Sequence, residues 1–245
     1  MKDDDLETLV VDKLRWLRLP GMRDALSNLL AEARDGNWSC LQVIDQLCDE
    51  EKKSRIDSAI RRRIQDARFP EINTVDGFDF EYCPTRKKLK SKYLGLCELT
   101  FLSSGLNPIF LGKPGTGKTY LARALAYRAC QSAKRVVVAN ATRMLNELVG
   151  GEIHGRLDRA LRRYVRAEFL VLDDFGVVKM DEAQAKLAYQ VIAERYDYRR
   201  STCITTNRPF KDWTVVFPDP LTAQVSAERL TERSEVFVLN GKGYR

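Results

Sequence analysis

A glycine-rich segment contains residues whose types and spacing suit the binding of phosphate groups. Residues 112–119 read Gly-Lys-Pro-Gly-Thr-Gly-Lys-Thr and match the pattern G-x-x-x-x-G-K-[ST]. The glycines let backbone N–H groups close around phosphate oxygens, while Lys118 reaches the β- and γ-phosphates and the Thr119 hydroxyl ligates Mg²⁺. We therefore predict a nucleotide site in this segment. Its residues are Gly112, Lys113, Pro114, Gly115, Thr116, Gly117, Lys118, Thr119 and Tyr120.

Two adjacent carboxylates, Asp173 and Asp174, directly follow an apolar run that ends at Leu172. Asp173 and Asp174 at the end of a buried strand need a cation to neutralise them, and Mg²⁺ is the natural candidate. Asp173 would hold the metal directly or through water, and Asp174 could orient or deprotonate a water that attacks the γ-phosphate. Asn207, at the tip of a later strand, could hydrogen-bond that water and the γ-phosphate; a simple turn-forming Asn is the alternative. These residues predict phosphoryl transfer to water.

The residues after the apolar run that ends at Leu172 also match two misleading patterns. Residues 173–176 satisfy the GTPase pattern D-x-x-G, and residues 174–176 spell the protein-kinase triplet DFG. The sequence contains no N-K-x-D for guanine and no H-R-D or β3-lysine motif. We therefore expect ATP as the nucleotide. A small-molecule P-loop kinase is harder to exclude, although nothing after Asp174 resembles an acceptor site.

The elements that must position these residues alternate between strand and helix. Short apolar runs predict four strands, at 109–111, 135–139, 168–172 and 201–206. Helical spacing of apolar residues follows the first two runs and argues for an α/β fold with a doubly wound parallel sheet of the P-loop NTPase type. The ligand site of such a sheet lies at the carboxyl ends of its strands.

The region before the sheet is predicted to be helical from residue 1 to residue 68. Leucines recur at helical spacing up to Pro20-Gly21, which is expected to stop the first helix, and Ser39 is a predicted N-cap for the third. Residues 69–85 are predicted as a linker, and residues 86–245 as the ATPase domain. Phe78 and Phe80 in the linker could pack beside a bound adenine or serve as core anchors.

Two basic segments are candidates for contacts with nucleic acid. The chain has a net charge of +7, and residues 1–68 are near neutral, so the excess lies further along. A predicted helix carries Arg156, Arg159, Arg162, Arg163 and Arg166, with apolar residues on its opposite face. A second cluster contains Lys87, Lys88 and Lys90. Each could grip a phosphate backbone, and solvated side chains or a subunit contact are the alternatives.

The composition is that of a globular protein, with 44% hydrophobic and 31% charged residues. The six cysteines form no C-x-x-C pair and there is a single histidine, so neither a zinc site, a disulfide framework nor a Ser-His-Asp mechanism is favoured. The sequence has no long apolar window, and its acidic start is atypical of a signal peptide. We expect reduced thiols, a cytoplasmic location and no membrane contact.

Taken together, these motifs resemble the IstB-type transposition helper ATPases. This family belongs to the AAA+ class and is similar to the DnaC-type helicase loaders. The resemblance spans essentially the whole chain. It rests on Leu14–Met22, Arg68-Phe69-Pro70, Phe78-Asp79-Phe80, Gly112–Thr119, Leu172–Gly176, Thr205–Arg208 and the terminal Gly243-Tyr244-Arg245.

The resemblance implies an activity and a set of partners. Such helpers assemble on duplex DNA as ATP-bound oligomers, bend the DNA, and recruit and activate a transposase. ATP then lies between subunits, and an arginine of the neighbour completes the site; Arg229 is the first choice for that arginine and Arg233 the second. The family's second carboxylate is commonly Glu, so the shorter Asp174 could slow hydrolysis. The chain also leaves no room for the helical lid of many AAA+ proteins after Arg233.

Three hypotheses follow from this reading of the sequence. The first is a DNA-stimulated ATPase that acts as a transposition helper, with ATP hydrolysis as the release switch and little base specificity. The second is a loader that places a replicative helicase on single-stranded DNA. The third is a non-hydrolysing DNA-binding scaffold that uses ATP only to order itself.

Overall fold

A computed structural model describes the backbone of residues 3–240 and the side chains of residues 5–240. The terminal Gly243-Tyr244-Arg245 motif lies outside the described residues. The chain divides between Arg62 and Arg63 into two compact units, which we call the helical unit and the sheet unit. This division falls inside a long helix, and the domain limits 1–68, 69–85 and 86–245 stay a prediction.

The helical unit begins with two helices, α1 (Asp3–Trp16) and α2 (Pro20–Gly36), and contains most of α3 (Cys40–Ala67). The expectation that Pro20-Gly21 stops the first helix is wrong. Helix α1 already ends at Trp16, and Arg18 makes the turn with a φ of 58°. Pro20 begins α2 instead, because a proline at the first helical position loses no intrahelical hydrogen bond. Ser39 caps α3 as predicted, since its hydroxyl accepts a hydrogen bond from the Gln42 backbone at 3.3 Å.

A buried carboxylate fixes the start of α2 against α3. Glu51 is 5% exposed, and its carboxylate accepts the backbone N–H groups of Gly21 at 2.8 Å and Met22 at 3.3 Å. These are two of the N–H groups that a helix leaves unpaired at its start. A Cβ at Gly21 would lie 2.5 Å from the carbonyl oxygen of Glu50. Glycine is therefore required for the two helices to approach this closely.

The sheet unit contains five strands and seven further helices in the part of the chain that is described. The strands are β1 (Asn107–Gly112), β2 (Val136–Asn140), β3 (Phe169–Asp173), β4 (Ser201–Thr206) and β5 (Ser234–Leu239). The helices are α4 (Pro84–Leu96), α5 (Phe101–Ser104), α6 (Lys118–Gln131), α7 (Ala141–Ile153), α8 (Leu157–Arg166), α9 (Glu182–Asp197) and α10 (Pro220–Thr231), with a 3₁₀ helix at Phe210–Val215. Among the described residues, no helix combines the length and the hydrophobicity that a membrane span requires.

All strand pairs in the sheet are parallel, in the order β2-β3-β4-β1-β5. The predicted class, a doubly wound P-loop sheet with a helical N-terminal region, is confirmed. Strand β4 lies between β1, which leads into the glycine-rich loop, and β3, which ends in Asp173. The end of β4 is therefore interposed between the two motifs that the sequence analysis expects to meet.

Helices cover both faces of the sheet because alternate strand residues point to opposite sides. In β3, Leu170 and Leu172 belong to the core formed with α7, α8, α9 and α10. Phe169 and Val171 belong to the core formed with α4, α5 and α6. Strand β5 was not predicted, although its buried Phe237 alternates with more exposed neighbours as in an edge strand.

Candidate functional site

The loop between β1 and α6 encloses a lysine side chain. Gly117 has a φ of 101°, which side-chain-bearing residues rarely adopt, and a Cβ there would lie 2.7 Å from the Phe78 ring. Lys118 is 7% exposed, and its ammonium donates to the Lys113 carbonyl at 2.9 Å. Burial lowers the pKa of Lys118, against the opposing charges of the nearby carboxylates. The loop thus holds a nearly enclosed positive charge.

The ends of three neighbouring elements meet at the carboxylate of Asp173. Its Oδ1 accepts hydrogen bonds from the hydroxyls of Thr119 on α6, at 2.7 Å, and Thr205 on β4, at 2.6 Å. The Thr205 hydroxyl in turn accepts the backbone N–H of Asp174 at 2.9 Å. Thr119 and Asp173, which the sequence analysis expects to share a metal ion, therefore lie in direct contact.

An arginine that the sequence analysis did not select lies against the same carboxylate. The guanidinium of Arg123, one turn after Thr119 on α6, lies 3.3 Å from Asp173 Oδ2 and 3.7 Å from Glu71. Arg123 therefore supplies positive charge to Asp173, as a bound cation would.

Asp174 and Asn207 follow the ends of β3 and β4. Asp174 has a φ of 57°, and burial together with the charge of Asp173 raises its pKa, against the opposing charges of Lys118 and Arg123. Asn207 is exposed directly after β4. Both side chains thus follow the carboxyl ends of their strands, the side of the sheet on which the glycine-rich loop follows β1. Their roles stay predictions.

A cavity of about 300 Å³ adjoins the glycine-rich loop and is lined by Phe78 and Tyr120, whose ring centroids lie 5.5 Å apart. Phe78 is also 8% exposed and packs on Phe80, so it serves the core and lines the cavity. Arg86 lies with its guanidinium 4.5 Å from the centroid of Phe78 and donates to the Thr116 carbonyl at 3.1 Å. These contacts tie the predicted linker and α4 to the glycine-rich loop.

The two candidate arginine fingers lie at the opposite end of the sheet. Arg233 directly precedes Ser234, which pairs with Asn107 at the start of β1, whereas the glycine-rich loop begins at Gly112. Five residues of strand at ~3.3 Å each separate the two ends by roughly 17 Å. Neither Arg233 nor Arg229, in the last turn of α10, belongs to the site formed by Lys118 in the same chain.

The arginines of α8 and its N-cap are divided between internal and exposed positions. Arg163 forms a salt bridge with Glu147 at 3.0 Å and is partly buried. The other four predicted arginines are exposed: Arg156, Arg159, Arg162 and Arg166.

The lysine cluster lies on α4, and all three of its side chains are exposed. Lys87 and Lys90 both form salt bridges with Glu81, at 3.2 and 3.1 Å. Glu81 therefore offsets part of the positive charge contributed by this cluster. The contribution of Lys88 to nucleic-acid binding stays a prediction, like those of its two neighbours.

The family of the chain follows from its similarity to known proteins. The family described as IstB-like ATP binding protein matches residues 12–245. This chain belongs to that family. An insertion-sequence ATP-binding protein of Mycobacterium tuberculosis is 32% identical over 95% of this chain and 92% of its own length. The IS232 ATP-binding protein of Bacillus thuringiensis is 31% identical, with the same two coverages of 95% and 92%.

Solved structures support the fold of this IstB-like chain. The crystal structure of the DnaC helicase loader superposes with a TM-score of 0.61 and 21% identity, covering 68% of this chain and 96% of that protein. DnaA from Aquifex aeolicus, bound to AMPPCP, gives a TM-score of 0.57 and 19% identity, covering 69% and 51%. Together they confirm an AAA+ P-loop fold, and the family match confirms the resemblance and its association with ATP.

Three residues at the site escaped the sequence analysis. Arg123 has no local motif, and Thr205 was noted only as part of a strand end. Arg86 directly precedes the lysine cluster of α4 and was not selected, yet it is 6% exposed. The helical spacing of Arg123 after Thr119 was the available signal, because positions four apart share a helix face.

Proposed function

We propose that this chain is an ATP-hydrolysing transposition helper. In this proposal it binds ATP and Mg²⁺, assembles as an oligomer on duplex DNA, recruits and activates a transposase, and is released by hydrolysis. The observation that carries the proposal is the contact between Thr119 and Asp173, in a chain of the IstB-like family. Its relatives are named as ATP-binding proteins of insertion sequences, which supports a role beside a transposase.

The residues of the loop suit the binding of ATP. The enclosed ammonium of Lys118 and the backbone N–H groups of the loop would hold the phosphates. Phe78 and Tyr120 would flank the base in the adjoining cavity of about 300 Å³. That volume lies at the lower end of the range for small-molecule sites, about 300–1,000 Å³. Pro114, Gly115 and Tyr120 complete the proposed binding segment.

The donor atoms also suit Mg²⁺. The Thr119 hydroxyl and the Asp173 carboxylate are oxygen ligands, which this hard cation prefers. The described residues contain no cluster of three or more His, Cys, Asp or Glu side chains that could hold a metal. This agrees with a site in which phosphates and water supply the remaining ligands. When bound, Mg²⁺ would neutralise charge on the phosphate oxygens.

Hydrolysis is assigned to the residues at the neighbouring strand ends. Asp174 would orient the attacking water and accept its proton, and Asn207 would hold the water and the γ-phosphate in line. Thr205 holds the Asp174 backbone in place through its hydroxyl.

The proposed oligomer is supported by the position of the candidate arginine fingers. Arg229 and Arg233 lie roughly 17 Å of strand away from the glycine-rich loop of their own chain. An arginine that stabilises the transferring phosphoryl group must touch it. If Arg229 or Arg233 acts as a finger, it would therefore act on the ATP of a neighbouring subunit, which supports the proposal of nucleotide bound between subunits.

Contact with DNA is supported by three grooves around α8, of about 640, 190 and 580 Å³. Neighbouring grooves share lining residues, the first two through Arg135 and Arg166 and the last two through Arg163. The grooves thus adjoin one another, and their linings contain nine arginines against four carboxylates, an excess of positive charge suited to a phosphate backbone rather than to base edges. The arginines are Arg63, Arg68, Arg135, Arg156, Arg159, Arg162, Arg163, Arg166 and Arg200.

The helical unit is proposed to contact the transposase. Its exposed apolar side chains, among them Trp16 at 82% and Leu41 at 78% exposure, are the candidates for that contact. We place the assembly in the cytoplasm, where ATP and target DNA are both present.

The proposal is tested by phosphate release from ATP with duplex DNA, with single-stranded DNA and without DNA, for wild type and Asp174→Ala. Sedimentation of the same samples reports the size of the assembly. We expect duplex DNA to stimulate hydrolysis by wild type, and Asp174→Ala to be inactive while still forming large ATP-dependent complexes. Preference for single strands would favour a helicase loader, and ATP binding without phosphate release from wild type would favour a scaffold.

A further inference from the structure

Two tyrosines on α9 form a clamp around one of the candidate arginine fingers. Tyr189 and Tyr196 are seven residues apart and therefore lie on the same face of α9, two turns from each other. The guanidinium carbon of Arg229, on α10, lies 5.1 Å from the ring centroid of Tyr189 and 5.6 Å from that of Tyr196. Both distances are within the range of cation–π attraction. Arg229 is thus held by two aromatic rings.

The second ring of the clamp is itself fixed on several sides. The guanidinium of Arg233 lies 4.5 Å from the ring centroid of Tyr196 and donates to the Tyr196 carbonyl at 3.2 Å. The Tyr196 hydroxyl donates a hydrogen bond to the carboxylate of Glu232. That bond raises the pKa of Tyr196, so the hydroxyl remains a donor. The Tyr196 ring therefore has little freedom to turn away from Arg229.

The clamp holds the arginine without neutralising it. Within the described residues, neither Arg229 nor Arg233 forms a salt bridge with a carboxylate. An aromatic face attracts a guanidinium but leaves its N–H donors available around the edge. An arginine pre-ordered in this way loses less rotamer freedom when it meets a phosphate.

We propose that Tyr189 and Tyr196 are positioning residues that hold Arg229 ready for the ATP of the neighbouring subunit. The inference rests on the proposed function and specifies how the trans site is prepared. It also selects Arg229 over Arg233, because only Arg229 contacts both rings. Tyr196 acts on both arginines, and Tyr189 acts on Arg229 alone.

The test compares substitutions that remove the ring with substitutions that keep it. Tyr189→Leu and Tyr196→Leu retain apolar bulk between α9 and α10 but lose the aromatic face, and Tyr196→Phe loses only the hydroxyl. We expect each leucine variant to lower kcat for DNA-stimulated ATP hydrolysis about tenfold, with KM for ATP unchanged, whereas Tyr196→Phe stays near wild type. That loss is smaller than the factor of about 10³–10⁵ that a whole arginine finger supplies. Lys186→Ala, on the exposed side of α9, is the matched control.

Mixing subunits separates a defect in trans from damage to the subunit's own nucleotide site. Asp174→Ala is expected to be inactive but to assemble with ATP and to keep an intact clamp, so it can complete the ATP site of a Tyr196→Leu neighbour. We expect the mixture to hydrolyse ATP faster than either variant alone. Absence of that recovery would assign the defect to the Tyr196→Leu subunit's own site and overturn the inference.

The single variants also separate this inference from the proposed function. If Tyr189→Leu and Tyr196→Leu keep the wild-type kcat while Arg229→Ala is inactive, the clamp is overturned, but Arg229 remains the proposed finger for the neighbouring subunit. Wild-type kcat in Arg229→Ala itself would overturn both the clamp and the choice of Arg229 as the finger. Loss of kcat in Tyr196→Leu but not in Tyr189→Leu would transfer the finger to Arg233 and overturn the clamp on Arg229.

Discussion

The hydroxyl of Thr205 joins the two carboxylate-bearing residues at the end of β3. It donates to Asp173 at 2.6 Å and accepts the Asp174 backbone N–H at 2.9 Å, and Thr205 is fully buried. Thr205→Val keeps the shape of the side chain but removes both hydrogen bonds. A hydrogen bond to a charged group contributes about 1.5–3 kcal/mol, and a buried N–H left without a partner costs about 1–3 kcal/mol. Because Asp173 keeps Thr119, we expect the free energy of unfolding to fall by about 3 kcal/mol.

The assay for Thr205→Val is calorimetry of the full chain. The unfolding transition whose midpoint temperature rises on adding ATP and Mg²⁺ is assigned to the sheet unit. At roughly 2–4 °C per kcal/mol for a unit of this size, the transition should fall by about 6–12 °C. Ser226→Ala is the matched control, because the Ser226 hydroxyl is buried with no hydrogen-bond partner among the described residues. Its loss should leave the transition unchanged or slightly raised. A Thr205→Val transition within 2 °C of wild type would refute the reasoning.

Three further substitutions test the loop and the α7–α8 contact. Gly117→Ala forces a Cβ into a backbone of φ 101° and should abolish binding of a fluorescent ATP analogue, which titration would measure. Arg86→Met removes a donor to the loop and should weaken ATP affinity about tenfold in the same titration, the equivalent of ~1.4 kcal/mol. Burial alone would raise the pKa of Glu147, but the Tyr164 hydrogen bond and the Arg163 charge hold it below its ordinary value. The ionised Glu147 carboxylate therefore stabilises the fold above its unfolded pKa, and this stabilisation is lost in acid. Denaturant titrations should show that Glu147→Gln is less stable than wild type at neutral pH, and that the difference shrinks below about pH 4. Unchanged ATP affinity, or a pH-independent difference, would contradict these expectations.

The sequence predicts what is encoded locally in this chain. Lys118 and Thr119 are recognisable because the glycines beside them form a contiguous pattern, and Asp173 because an apolar run leads directly to it. The parallel sheet follows from the alternation of such runs with helical segments. The contact between Thr119 and Asp173 could be anticipated because both motifs end at the same edge of a parallel sheet.

Contacts between distant segments could not be read in this way. Arg86 is part of a basic run in the sequence, and only the fold shows that it is buried against the Thr116 carbonyl. Thr205 becomes important because β4 is inserted between β1 and β3, an order that no local pattern encodes. The same is true of Arg229, whose two aromatic partners lie on another helix.

Strand β5 was missed for a different reason. Phe237 and Leu239 are buried and Val236 and Val238 are exposed, but all four residues are apolar, so the sequence itself shows no alternation. Strand β5 is an edge strand paired only to β1, like β2 at the other edge of the sheet. The continuous apolar run at residues 236–239, no shorter than the run that predicted β1, was the available signal.

The central claim is that ATP switches this chain into an assembly on duplex DNA. The most direct measurement is fluorescence anisotropy of a labelled duplex at moderate salt. Wild type is compared in ATP and Mg²⁺, in ADP and Mg²⁺, and without nucleotide, and Lys118→Ala is the control. We expect wild type to bind the duplex tightly only in ATP and Mg²⁺. Tight binding should be absent in ADP, without nucleotide, and for Lys118→Ala. Equal affinity for the duplex in all three nucleotide conditions would contradict it.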